Sequence, residues 1–252
     1  MSEPNQAKNP SKAVTRRMVV AAAATIASVG SAHAYRHTNC FLKGTRIATA
    51  TGERRIEDLR IGDMIPTVFG GMRPIEWIGR MRRTRSNRRK PWVEDARPVR
   101  IARSALAPNV PSADLFVTRG HALLIDGVLI PAEHLINGTT ISLDAAEQHD
   151  ELEFYHLKLA SHDVIYAEGA PCESLLRVDE TMSNSSLYLR KHGETQDEHC
   201  APILSNGLRS QIITAVKGLL SPPQRERQLD RVRARLETRA AALAAQQPET
   251  MA

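Results

Sequence analysis

The segment Cys40–Asp63 reads CFLKGTRIATATGERRIEDLRIGD, and it decides the expected fold. Three residues separate Cys40 from the pair Gly44-Thr45, and a short alternating run follows. Glycines at positions 52 and 62 each predict a tight turn between short β-strands. The segment therefore predicts a nucleophilic thiol at the start of a strand, with the following chain folded back over it.

Two later segments extend this pattern. Leu115–Ile125 is a strand-like run that contains Thr118 and His121 in the arrangement Thr-x-x-His. Phe154–Gly169 has the alternation and the closing glycine of a β-hairpin. In this order and at these separations, the three segments resemble the Hint superfamily, the self-processing domains of hedgehog proteins and inteins. The resemblance covers about residues 40 to 178 and is strongest to bacterial stand-alone Hint proteins.

Short strands at regular spacing, separated by glycine and proline, predict a mostly β domain rather than alternating strands and helices. The pair Asp126-Gly127 is typical of a tight hairpin turn, and Ala132–Gly138 of one helical turn that ends at glycine. Together with the resemblance, this pattern predicts a compact, mostly β Hint fold with a C-terminal helical appendage.

The composition changes after residue 178. Residues 179–207 are predicted to form a polar linker, with a loop in its first part, and residues 208–252 a helical tail. Apolar residues at helical spacing predict one helix over 208–220 and an amphipathic helix over 224–247. The amphipathic helix is expected to pack either on the domain or on a partner. Its polar face mixes both signs of charge, which disfavours a membrane role.

Residues 1–34 have the pattern of an export signal. Arg16 and Arg17 precede an alanine-rich apolar run over Val19–Val29, and Ala32-His33-Ala34 fits a signal peptidase site. The paired arginines resemble a twin-arginine leader, while an ordinary Sec signal and an uncleaved anchor are the alternatives. The protein is therefore predicted to be exported to the periplasm or secreted, with the signal as a transient membrane tether.

The net charge of +6 does not predict nucleic-acid binding, because residues 1–34 carry half of it and the rest of the chain only +3. The most basic run, Arg80–Lys90, has seven basic residues in eleven but no aromatic side chain on which bases would stack. A solvated hairpin tip is the favoured interpretation of this run. A site for phosphate or anionic lipid is the alternative.

The three cysteines, Cys40, Cys172 and Cys200, are too few and too scattered for a disulfide framework or a zinc site. Cys172 and Cys200 either pair in an oxidising compartment or remain two ordinary thiols. No cofactor and no metal are predicted.

The resemblance implies a role for each residue of the predicted site. Cys40 is the nucleophile that attacks the carbonyl of the preceding residue, so that the Asn39–Cys40 peptide becomes a thioester. His121 polarises the scissile amide and gives it a proton, and Thr118 assists through its hydroxyl. The substrate is then the protein's own N-terminal flank, and the acyl acceptor is water or a small thiol. Such cleavage is autocatalytic and occurs once per chain.

Two departures from the family pattern limit this hypothesis. Inteins end in His-Asn, but Gly169 is followed here by APCES, so splicing is not expected. Cleavage by signal peptidase after Ala34 would leave only five residues before Cys40. Three classes of function therefore stay open: a self-cleaving domain, a catalytically silent Hint scaffold that serves as an exported binding or structural module, and a cysteine hydrolase that acts on other molecules.

Overall fold

The structure is a computed structural model that describes residues 39–85, 87, 89–178, 182–193, 198–204 and 222–246. The predicted export signal and the predicted helix over 208–220 lie outside these residues. Neither α-helix in the described ranges combines the length and the hydropathy that a membrane span requires.

The described residues form fourteen β-strands, three 3-10 helices and two α-helices. The strands are β1 (Phe41–Leu42), β2 (Arg46–Thr49), β3 (Gly52–Arg55), β4 (Met64–Thr67), β5 (Gly71–Pro74), β6 (Trp77–Thr84), β7 (Val99–Ile101), β8 (Leu115–Val117), β9 (Ala122–Ile125), β10 (Val128–Pro131), β11 (Ile141–Leu143), β12 (Glu151–Lys158), β13 (Val164–Ala167) and β14 (Ala170–Glu173). The 3-10 helices span Ile56–Asp58, Glu94–Ala96 and Ala132–Leu135, and the α-helices are α1 (Ser185–His192) and α2 (Pro222–Gln246).

The strands pair in two antiparallel sheets. One has six strands in the order β11-β7-β8-β1-β12-β6, and the other runs β10-β9-β14-β13-β2-β3, with β4 and β5 attached beside β13. Turns at Gly52, Gly62 and Gly127 have positive φ, which glycine adopts without strain. The predicted mostly β fold with a C-terminal helix is confirmed.

The largest core cluster joins apolar side chains of both sheets. It includes Phe41 of β1, Val117 of β8, Ile165 of β13 and Cys172 of β14, all at most 1% exposed. Because β1 is the fourth strand of the six-stranded sheet, it has a neighbour on each side. The residue before β1, Cys40, is fully buried in a cluster with Trp92, Leu152 and Phe154.

The basic run around Arg80–Lys90 does not form a simple hairpin tip. Its first part belongs to β6, which pairs with β12 over eight residues. Arg82 lies 3.8 Å from Glu151 and 3.7 Å from Glu153 on that strand, and the guanidinium of Arg80 lies over the ring of Tyr155. The interpretation as a hairpin tip was wrong for this part, because it is a strand paired with β12, although the side chain of Arg82 is 63% exposed.

The region after residue 178 also differs from the prediction of a loop. Helix α1 lies within it and contacts β6, since Trp77 and Tyr188 share an apolar cluster and their ring centroids are 6.1 Å apart. The amphipathic helix predicted near the C-terminus is α2. Its buried residues Leu229, Val232 and Leu236 belong to the main core cluster, so this helix packs on the domain.

Candidate functional site

Strand register brings the site together at the end of β1. Phe41 pairs with Val117 of β8 on one side and with Tyr155 of β12 on the other. In antiparallel strands a step back along one strand is a step forward along its partner. Cys40 therefore lies between Thr118 and His156.

Thr118 holds the backbone of Cys40 through two hydrogen bonds. The N–H of Cys40 donates to Oγ1 of Thr118 at 3.0 Å, and the N–H of Thr118 donates to the carbonyl of Cys40 at 3.0 Å. The first of these bonds involves the nitrogen of the Asn39–Cys40 peptide. The predicted assistant residue thus contacts the leaving nitrogen of the predicted reaction.

His156 contacts the other components of the same peptide. Its Nδ1 lies 3.1 Å from the carbonyl oxygen of Asn39, and its Nε2 lies 3.3 Å from Sγ of Cys40. Sγ is also 3.6 Å from Nδ1. The ring is buried, with 3% of its surface exposed. One imidazole therefore touches both the nucleophilic sulfur and the scissile carbonyl.

A glycine opposite His156 makes room for this arrangement. Gly79 of β6 pairs with His156, and a Cβ atom at position 79 would come within 2.3 Å of the Trp77 ring and 3.1 Å of the His156 ring. The Trp77 and His156 rings stack with their centroids 6.4 Å apart. Any side chain at position 79 would displace one of the two rings.

His121 approaches Cys40 from the turn after β8. Its ring lies against Phe41, with ring centroids 4.2 Å apart, and its Nε2 lies 3.1 Å from the carbonyl oxygen of Glu173. Since a carbonyl oxygen only accepts hydrogen bonds, Nε2 carries the proton and Nδ1 has a lone pair. Nδ1 is buried and forms no hydrogen bond within the described part of the chain.

Burial controls the charge of His121. The ring is fully buried, and this burial lowers its pKa to about 4, against weaker opposing effects from the backbones of Cys40 and Glu173. At neutral pH the ring is therefore uncharged. The structure brings His121 close to the backbone of Cys40. However, the ring is uncharged, so Nδ1 must take up a proton before it can give one to the amide nitrogen of Cys40.

Apolar side chains enclose the thiol. Cys40 shares a cluster with Trp92, Phe154 and Leu152, and it is 0% exposed. The indole N–H of Trp92 is shared between the carbonyls of Ala146 and His149, at 3.1 and 3.0 Å. These contacts fix the indole over the cluster, so the sulfur is shielded from bulk water, whereas Asn39 is half-buried.

The other two cysteines are not part of this site. Cys172 and Cys200 are both free thiols in the structure, so the disulfide alternative is not seen. Burial raises the pKa of Cys172, and burial raises the pKa of Cys200 to about 12. Both groups remain protonated and weakly nucleophilic at neutral pH.

A second polar cluster lies near the site and has atoms that a metal could use. Ligand atoms of His162, Glu173 and His199 lie within 4.8 Å of one another. However, the N–H of Cys200 donates to Nδ1 of His162 at 3.0 Å, so Nε2 of the neutral ring carries the proton. Nε2 lies 3.3 Å from the Glu173 carboxylate. This pattern favours a direct hydrogen bond over a metal, whose ligand nitrogen must be unprotonated.

Glu173 links this cluster to the site around Cys40. One carboxylate oxygen accepts the N–H of Ala122 at 2.7 Å, the other faces His162, and the backbone carbonyl accepts from His121. Glu173 is 2% exposed. It therefore fixes both the position and the tautomer of His121.

Sequence reasoning missed His156 and Glu173 as site residues. His156 stands in the third of the predicted segments, but no nearby motif marks it. Pairing the start of β1 with that segment in the observed register would have placed His156 beside Cys40. Glu173 follows the hairpin turn at Gly169, at a place where the pattern of inteins expects other residues.

Solved structures of inteins and of an intein-like domain resemble this chain at a distance. An intein-like domain from Clostridium thermocellum has 15% sequence identity and a TM-score of 0.40, and the alignment covers 54% of this chain and 98% of that one. A DnaB intein from Synechocystis has 14% identity and a TM-score of 0.35, with coverages of 54% and 99%. The gp41-1 intein has 10% identity and a TM-score of 0.38, with coverages of 54% and 98%. These likenesses are too distant to carry an argument of their own.

The comparison with curated proteins finds no match. The comparison with family models finds the Hint domain over residues 39–179, which is more than half of the chain and includes every residue of the site around Cys40. The chain therefore belongs to the Hint domain family.

Proposed function

We propose that the protein cleaves its own chain at the Asn39–Cys40 peptide. The observation that carries this proposal is the convergence of polar groups on that one bond. Thr118 accepts the N–H of the peptide, His156 contacts its carbonyl oxygen, and the thiol of Cys40 belongs to the residue that follows the bond. Any buried backbone N–H needs an acceptor, but a purely structural cysteine does not need one histidine in contact with both its sulfur and the preceding carbonyl.

The proposed reaction begins with an N-to-S acyl shift. Sγ of Cys40 attacks the carbonyl carbon of Asn39, and negative charge develops on the carbonyl oxygen that His156 contacts. The C–N bond then breaks, and the nitrogen gains a proton. His121 starts the reaction neutral, because its pKa is about 4, so any proton that it gives to the nitrogen must first reach it from another group.

The thioester ends by hydrolysis or thiolysis. Splicing needs an asparagine that cyclises at the C-terminal end of the domain, and the residues after Gly169 are Ala170-Pro171-Cys172-Glu173-Ser174. The acceptor is therefore water or a small thiol, and the products are the N-terminal flank and a domain that starts at Cys40.

We also propose that the reaction takes place after export. Residues 1–34 have the features of a leader, and a twin-arginine route carries a domain across the membrane already folded. In that state the leader is the N-terminal flank, and self-cleavage would release the domain without signal peptidase.

Replacing Ala34 with a bulky residue, which blocks signal peptidase, tests this idea. Release of a periplasmic protein that starts at Cys40 supports it, and retention of the full-length chain in the membrane contradicts it.

The central test uses a foreign domain fused ahead of residue 35. On treatment with dithiothreitol or hydroxylamine, the wild-type fusion should be cleaved, and mass spectrometry should find Cys40 at the new N-terminus. The Cys40→Ala fusion should stay intact. If both fusions remain intact and folded, the self-cleavage proposal fails and the silent scaffold replaces it. Turnover of added esters without self-cleavage would instead indicate a hydrolase that acts on other molecules.

A further inference from the structure

We propose that His156 is the general base for the Cys40 thiol and, in the same ring, the donor to the scissile carbonyl. This inference rests on the proposed self-cleavage and assigns a catalytic residue to it. The hydrogen bonds described above for Thr118 and for Nε2 of His121 go to backbone groups. Thr118 contacts the backbone of Cys40, and Nε2 of His121 is committed to the carbonyl of Glu173.

The carbonyl of Asn39 fixes the tautomer of His156. Nδ1 lies 3.1 Å from this oxygen, and because a carbonyl oxygen only accepts, Nδ1 is the protonated nitrogen of the neutral ring. Nε2 is then the nitrogen that carries the lone pair, and the Cys40 sulfur lies 3.3 Å from it. The hydrogen bond to the substrate carbonyl therefore turns the basic nitrogen towards the nucleophile.

The proton balance of the reaction follows from this geometry. Nε2 takes the thiol proton, so the ring becomes an imidazolium beside a thiolate. The thiolate then forms the bond between Sγ and the Asn39 carbonyl carbon. Nδ1–H now faces an oxygen that carries negative charge, so their hydrogen bond strengthens. The C–N bond then breaks, and the proton that left the thiol ends on the nitrogen of Cys40.

The surroundings hold this ring in place. It is 3% exposed, it stacks on Trp77, and Gly79 leaves the space that it occupies. Of the titratable groups on neighbouring elements, His121 lies on the turn after β8, and Arg80 lies on β6 with its guanidinium over Tyr155. His121 is neutral above about pH 4, so it does not oppose a charge on His156 at neutral pH.

Two substitutions separate the two roles of His156. His156→Asn places an amide nitrogen near the position of Nδ1, so it keeps a donor to the Asn39 carbonyl but removes the base. His156→Gln places an amide near the position of Nε2, so it contacts the sulfur but removes the base and the donor. The exposed His149, changed to Gln, is the matched control for loss of a histidine.

The experiment measures thiol-induced cleavage of the fusion protein between pH 6 and pH 9. At pH 7 both variants should be slower than wild type by about a hundredfold, which is typical of the loss of a general base. The difference in rate between wild type and the variants should narrow towards pH 9, because the higher hydroxide concentration favours the thiolate even where no side chain acts as a base. Circular dichroism and thermal unfolding confirm that each variant is folded. If His156→Asn cleaves at the wild-type rate, His156 only positions the carbonyl and the base assignment is wrong.

A second readout does not depend on cleavage. The thiolate of Cys40 is measured by ultraviolet absorbance as the difference between each protein and its Cys40→Ala counterpart. Both His156 variants should show less thiolate at pH 7.5 than wild type, and an equal signal would overturn the inference. If no protein cleaves but the thiolate signal still depends on His156, the proposed function fails while the cysteine–histidine pair is supported.

Discussion

Two buried cysteines in this molecule have the same exposure and opposite chemical surroundings. Cys40 in the six-stranded sheet and Cys172 in the eight-stranded sheet are both 0% exposed free thiols. Cys172 belongs to the apolar core, and burial raises its pKa. Cys40 has a histidine ring nitrogen 3.3 Å from its sulfur and an adjoining peptide held by hydrogen bonds. Burial alone keeps a thiol inert, and the polar groups that share its cavity decide whether it reacts.

The largest expected effect separates the two cysteines directly. Cys40→Ala should lower the rate of thiol-induced cleavage by about a thousandfold or more, because it removes the nucleophile. Cys172→Ala should leave the rate within about twofold but lower the free energy of unfolding by about 1 kcal/mol, because it leaves a small cavity in the core. Cleavage assays and urea unfolding of both variants check this pair. Loss of cleavage in a folded Cys172→Ala protein would break the comparison.

The second prediction tests whether the His121 ring beside Cys40 is uncharged in the folded protein. Because the pKa of His121 falls from 6.5 to about 4 on folding, the unfolded chain binds a proton there in a range where the folded chain does not. The free energy of unfolding should therefore fall as the pH drops from about 6.5 to about 4, by about 3 kcal/mol from this residue at 1.4 kcal/mol per pKa unit.

Urea unfolding at several pH values measures this contribution. The His121→Gln protein should lose less stability than wild type over that range, whereas the exposed control His149→Gln should follow wild type. His134, whose pKa is also lowered by burial, is present in all three proteins, so its contribution cancels in the comparison. Equal slopes for wild type and His121→Gln would show that His121 is not held neutral.

The smallest effect concerns the amide of Cys40. Thr118→Val keeps the shape of the side chain but removes the oxygen that accepts the Cys40 N–H at 3.0 Å. An unpaired buried N–H costs about 1–3 kcal/mol, so the free energy of unfolding should fall by that amount. Because Oγ1 also orients the amide nitrogen while this nitrogen gains its proton, we expect cleavage to be slower by about tenfold. Thr118→Ser keeps the hydroxyl and should stay close to wild type. If Thr118→Val is cleaved as fast as Thr118→Ser, the hydroxyl of Thr118 has no role in the mechanism.

Local sequence patterns were enough for the general fold and for part of the site. Glycine-punctuated strands predicted the β architecture. The resemblance to the Hint superfamily, carried by the segments around Cys40 and Thr118, implied that these two residues are neighbours, and the structure places them in contact. This success has a simple reason. Turns and alternation are encoded within a few residues, and Thr118 and His121 lie in one short motif.

Contacts between distant segments could not be predicted in this way. His156 reaches Cys40 only because β12 pairs with β1 in one register, across a sequence separation of 116 residues. The run that contains Arg82 was interpreted as a hairpin tip because its partner strand β12 lies far along the chain. Helix α1 forms in a polar segment where its packing, including Tyr188 on Trp77, was not visible from local composition.

Helix α2 extends the folding unit beyond the limits of the family match. The match ends at residue 179, but Leu229, Val232 and Leu236 belong to the same core cluster as Phe41, and Arg233 and Arg239 donate to the carbonyls of His134 and Ser104. A recombinant fragment trimmed to the family boundary would expose the apolar surface that this helix covers. Such a fragment would be prone to aggregation, and an apparent lack of activity in it would report on truncation rather than on the chemistry of Cys40.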